Sequence, residues 1–160
     1  MHEQNDGHGN GGFLGKILLV VDGTEASDAA GKFAVALAGR TGACLMAVYP
    51  VDTATMDFLL RMHILVNEER SEFEAAIEAK GRGYLDYTKR LAETAGVSVE
   101  TCFARGRFHE EIARLAYRER AGLVVIGNWR GARRSKDSSA VERELLLENL
   151  RCPLTVVKSG

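Results

Sequence analysis

The stretch KILLVVDGTEASDAAGKFAVALAGRTG, residues 16–42, changes its period part-way along. Up to Asp22 it is an unbroken apolar run rich in branched side chains, as expected of a strand covered on both faces. From Ala26 the apolar positions Ala29, Ala30, Phe33, Ala34, Leu37 and Ala38 return at helical spacing. Thr24 is placed to cap that helix, and Gly39 or Gly42 to end it. The unit is therefore strand, tight turn, helix.

The unit repeats outward from there. CLMAVYPV (44–51) and SVETCFARG (98–106) read as second and third strands, and a helical stretch from Asn67 to Ala95 lies between them. Phe73, Ile77, Tyr84, Leu91 and Ala95 mark one side of it, while Gly81 and Gly83 each cost about 1 kcal/mol relative to alanine. FHEEIARLAYRERA (108–121) shows a face of Phe108, Ile112, Leu115 and Ala116. It is followed by the strand GLVVIG (122–127), a helix at 140–150 and the strand PLTVVKS (153–159). Alternation of this kind predicts an α/β fold with a mainly parallel sheet, helices on both faces and right-handed crossovers. Ligands of such folds sit at the carboxyl ends of the strands where strand order reverses. Asp22, Val48 and the loop after Gly127 are thereby placed at one candidate site.

The bulk properties set bounds on function. A chain of 160 residues, 46% hydrophobic and 27% charged, suits one domain, expected over 16–160. The polar, glycine-rich segment 1–15 is expected to be a disordered tail. A formal net charge of -1 offers no global attraction to nucleic acid or to anionic membrane, so neither is expected as a partner. The one basic cluster is Arg130, Arg133, Arg134 and Lys136. No apolar run is long enough to span a bilayer and no secretory core follows the N-terminus, so the expected location is the cytoplasm. Cys44, Cys102 and Cys152 are isolated from one another and lie in or beside apolar runs, which reads as reduced, mostly buried thiols. No metal site is expected, since His2 and His8 on the tail, and His63, lack companion ligands.

At KILLVVDGTEAS (16–27), ARGRFHEEIARLA (104–116), GLVVIGNWRG (122–131) and LRCPLTVV (150–157), the sequence resembles the universal stress protein family. The likeness runs from Lys16 to Lys158 with all elements in the same order. It implies a single doubly wound domain of the adenine-nucleotide-binding type, with five parallel strands in the order 3-2-1-4-5. It also implies a homodimer, often made through the last strand. Some members bind ATP and others do not. In those that do, the aspartate ending the first strand, here Asp22, lies near the nucleoside, and a backbone position late in the second strand, here Val48, contacts adenine. The phosphates are held by a loop reading glycine, two residues, glycine, nine residues, then glycine followed by serine or threonine. Gly127 matches the first glycine, but Arg130 stands at the second, Ala140 at the third and Val141 at the hydroxyl position.

The chemistry of that loop is close backbone approach, which glycine permits because it has no Cβ. Arginine at 130 works against it. The segment still has features that suit an anion: Gly131 lies one residue beyond the expected glycine, and Ser138 and Ser139 are placed to cap the last helix, whose exposed amides attract negative charge. The alternative is a solvated basic loop with serines that only cap. Trp129 either covers the crevice or stands exposed as an anchor for a partner.

The segment TMDFLLRMHILVN (55–67) is too apolar all round for a helix with one buried face, and is expected to meet a protein partner or a second subunit; packing over the sheet is the alternative. No catalytic residue is expected. His109 begins a helix beside Glu110 and Glu111, yet nothing in the sequence places a substrate or partner groups against it. These readings favour a non-enzymatic stress-response or regulatory protein, acting as a homodimer through protein contacts and binding no cofactor. The alternative is an ATP or adenine-nucleotide switch using Asp22, Val48 and the Gly127–Ser139 loop, with an adenylate-handling enzyme as a third reading.

Overall fold

A computed structural model of the chain describes residues 12–129 and 138–159. Five strands, β1 (Lys16–Val20), β2 (Cys44–Val51), β3 (Val99–Arg105), β4 (Leu123–Gly127) and β5 (Leu154–Val157), form one sheet. All pairings are parallel and the order is β3-β2-β1-β4-β5, as expected. The helices are α1 (Glu25–Thr41), α2 (Thr53–Arg61), α3 (Asn67–Thr94), α4 (Phe108–Arg118) and α5 (Ser138–Asn149).

Alternation along β1 builds two cores. Ile17, Leu19 and Val21 join Ala30, Ala34 and Ala38 of α1 and Leu85 and Ala92 of α3. Leu18 and Val20 join Phe108, Ile112 and Leu115 of α4 and Leu146 of α5. Ile17, Leu18 and Leu19 are fully buried, at roughly 1.5–3 kcal/mol for each large aliphatic side chain. A polar residue anywhere in this run would disrupt one core or the other.

Local chemistry sets the helix limits. The Thr24 hydroxyl accepts the Ser27 N–H at 3.1 Å and starts α1. Gly42, left-handed at φ 76°, ends it by donating its N–H to the Ala38 carbonyl. Gly42, not Gly39, is thus the terminator. On α3 the buried stripe is Gly81, Leu85, Thr88 and Ala92, with Ile77, Tyr84 and Leu91 packed beside it. Phe73 is 54% exposed and Ala95 is an exposed cap, so the stripe expected from the large residues is corrected at both ends. The reason lies at Gly81, where a Cβ would stand 2.5 Å from the Tyr49 ring and 2.8 Å from that of Phe103. Small residues bring α3 down onto the sheet.

The apolar segment 55–67 is broken: α2 ends at Arg61, His63 turns the chain at φ 57° and α3 begins at Asn67. Met56 is buried, but Phe58, Met62, Ile64 and Val66 are each more than half exposed. Ahead of β1, the Gly15 carbonyl accepts the Cys44 N–H at 3.0 Å, and Leu14 packs on the α1 side of the sheet. His2 and His8 lie outside the described residues. All three cysteines are free and partly buried. Burial pushes the Cys102 and Cys152 thiols up, which disfavours the reactive thiolate.

Candidate functional site

Strand order reverses between β1 and β4, and Asp22 follows β1 at that point. One carboxylate oxygen accepts from the Thr24 N–H at 3.0 Å and the Thr24 hydroxyl at 2.7 Å, tying the turn. The Asp22 N–H donates to the Ser27 hydroxyl at 3.0 Å. The second oxygen accepts from Arg143 of α5 at 3.1 Å. Arg143 is only 8% exposed, and its guanidinium lies 4.5 Å from the centre of the Phe108 ring. A charge so far from water requires compensation. The carboxylate and the aromatic face both contribute it.

The neighbouring residue on α5 makes a second attachment. Glu142 accepts from Arg107 Nε at 2.8 Å and from the His109 N–H at 3.1 Å, and its carboxylate lies 2.6 Å from His109 Nδ1. Arg107, the cap position of α4, makes no capping bond with its own side chain. Glu142 therefore satisfies an amide that the start of α4 would otherwise leave open. Burial pushes the Glu142 carboxyl up, but the hydrogen bonds from Arg107 and His109 outweigh it and hold the group below its usual range. His109, expected to be a polar residue of a helix's first turn, is engaged by α5.

The other expected residues have distinct surroundings. Val48 is completely buried, and its carbonyl accepts the Val21 N–H at 2.8 Å. At Gly127 a Cβ would lie 2.6 Å from the Ala26 carbonyl carbon and 2.7 Å from the Ser27 nitrogen. Glycine at 127 is thus required by the close approach of α1. Trp129 is 9% exposed and packs in the core that holds Val20, Val48, Phe108 and Leu146, so it does not stand exposed as an anchor. Ser138 and Ser139 form the beginning of α5, while Ala140 packs on the same core and Val141 is half exposed. Arg130, Gly131, Arg133, Arg134 and Lys136 lie outside the described residues. A cavity of about 210 Å³ lined by Asp52, Ala54, Thr55, Phe58, Arg107 and Glu142 adjoins this cluster. That is smaller than the ~300–1,000 Å³ of ordinary small-molecule pockets.

Sequence reasoning did not single out Arg107, Glu142 or Arg143. A signal was present: Arg143 lies three residues before the fully buried Leu146, on the face that α5 turns inward. Among the described residues, no three His, Cys, Asp or Glu side chains are grouped to hold a metal ion. No helix among them is long and apolar enough to cross a membrane.

Comparison with known proteins extends the picture. The universal stress protein MJ0531 of Methanocaldococcus jannaschii is 28% identical over 145 residues, covering 89% of this chain and 81% of that one. A universal stress family protein from Burkholderia pseudomallei shares the fold with a TM-score of 0.70 at 23% identity, over 90% of this chain and 96% of that one. An Arabidopsis thaliana protein of the family, solved with AMP bound, shares it with a TM-score of 0.64 at 15% identity, over 91% and 92%. Residues 14–158 match the model of the universal stress protein family. With that match spanning every strand and helix described above, the chain belongs to the universal stress protein family.

Proposed function

We propose that the chain is a non-enzymatic stress-response regulator of the cytoplasm, which acts as a homodimer through protein contacts and does not bind ATP in its family's usual way. The observation that carries this reading is the Arg143–Asp22 pair. The carboxylate that would meet a nucleoside already holds a buried guanidinium, and displacing a paired, desolvated charge is costly. The loop pattern points the same way, with Arg130, Ala140 and Val141 where glycine and a hydroxyl are needed.

Two surfaces support contacts with other proteins. β5 is a sheet edge whose four residues, Leu154, Thr155, Val156 and Val157, carry no charge or proline to discourage pairing, unlike β3 at the other edge with Glu100 and Arg105. Phe58, Met62, Ile64 and Val66 add an exposed apolar surface over the expected segment 55–67.

The competing reading is an adenine-nucleotide switch through Asp22, Val48, Gly127, Arg130, Gly131, Ser138 and Ser139. It is favoured by the AMP bound to the Arabidopsis relative. Calorimetric titration of the nucleotide-stripped protein with ATP and magnesium, and with AMP, separates the two. No saturable heat is expected. Micromolar binding that weakens in Asp22→Ala would overturn the proposal and establish the switch.

A further inference from the structure

A second cavity starts at the turn that follows β1 and runs along the groove between α1 and α3. Its volume is about 710 Å³, within the range of small-molecule sites, and its walls include the rings of Tyr84 and Tyr87 and the side chains of Val21 and Leu91. Tyr84 is fixed in place, stacked on Tyr49 with ring centres 6.2 Å apart and its far edge against Gly23.

Two glycines inside helices line the same space. A Cβ at Gly83 would meet nothing within 4 Å, and one at Gly31 would meet only Leu19 Cδ2 at 3.8 Å, an ordinary contact. Neither resembles Gly81 or Gly127, where a neighbouring group excludes a side chain. Both therefore forgo the better helix propensity of alanine with no close packing to explain it. What they do is leave room in the groove beside the two tyrosine rings of α3.

The aromatic faces narrow the ligand class, because the charges on the walls balance one another. Glu25 and Asp28 lie on the α1 wall and Lys80 on the α3 wall, and Lys32 pairs with Asp28 at 3.0 Å. The tyrosine faces are themselves electron-rich and attract cations. From the cavity, its aromatic walls and its two unfilled glycines, we infer that the α1–α3 groove binds a planar aromatic molecule carrying positive charge. The site shares Val21, Gly23, Thr24 and Ser27 with the turn that carries Asp22, but its lining excludes Arg143, Val48 and Gly127.

The test is a titration with aminoacridine, a planar cation, and with acridine carboxylate, an anion on the same ring, followed by amide chemical shifts at Gly31 and Gly83. Aminoacridine is expected to bind saturably, shift both amides and bind at least threefold more tightly than the carboxylate. Gly83→Leu projects a side chain into the groove from an exposed helical position. It should weaken binding tenfold or more while its melting temperature equals or exceeds that of the wild type. Gly83→Ala should also melt no lower than the wild type, showing that packing does not demand the glycine. Absence of shifts at the two amides, undiminished binding by a folded Gly83→Leu, or tighter binding of the carboxylate would each overturn the assignment.

Discussion

Arg143 keeps its charge in a nearly dry position because Asp22 and the Phe108 ring are both within reach. The pair should therefore be coupled in stability. In a double-mutant cycle with Asp22→Asn and Arg143→Met, followed by urea denaturation, the expected coupling is about 1 kcal/mol or more. Additive effects would show that the contact stabilises nothing. Gly127 supplies a second check at this scale: Gly127→Ala pushes a methyl group into the Ala26–Ser27 peptide and should cost about 1–3 kcal/mol. An unchanged urea midpoint would contradict that packing account. Asp22 and Gly127 were legible in the sequence because each ends an apolar strand. Arg143 was not, because its partner lies 121 residues away in the chain. No local pattern announces a pairing at that distance.

Polar attachments tie α5 to the start of α4 and to the turn after β1. Glu142 joins it to the start of α4, and the depressed carboxyl gives that contribution a defined pH dependence. A folded-state value below the unfolded one means stability that is complete above the unfolded carboxylate range, about 4.3 for glutamate, and is lost as pH falls through the lower folded value. Glu142→Gln should therefore destabilise the protein at neutral pH, with the gap to wild type closing as pH falls below about 4. A gap that stays constant in thermal melts across that range would show that ionisation of Glu142 is irrelevant. Strands and helices were themselves legible, since the change from unbroken apolar runs to helical spacing is a local signal. The contact stripe of α3 was less so, because Gly81 and Ala92 face the sheet and neither looks like a core residue in a sequence. Segment 55–67 reads as one apolar block, and only the backbone turn at His63 divides it.

On the scale of the whole molecule, the sheet has two unlike edges, and they predict where copies of the chain meet. Charged residues at Glu100 and Arg105 guard β3, whereas β5 offers an uncharged edge. In sedimentation experiments the wild type should run as a dimer, and Val156→Lys should shift it to the monomer. Ile64→Asp, on the exposed surface near α2, should leave that dimer intact if only partner binding uses the segment, or weaken it if the interface extends there. A Val156→Lys protein that remains dimeric would exclude β5 as the seam. The parallel sheet followed from the order of elements, while the strand order and the last strand as a seam were implied by the family resemblance; segment 55–67 stood out as apolar, and the fold adds which of its residues are exposed.

The Asp22–Arg143 bond joins residues made far apart in time. Asp22 follows β1, and α5 follows β4. Strands β1, β2, β3 and β4 are made before Arg143, so until then Asp22 lacks its partner on α5. The Arg143–Asp22 bond can form only after α5 has been made. A nascent chain halted before α5 would present its crevice without the guanidinium that the finished protein supplies for itself.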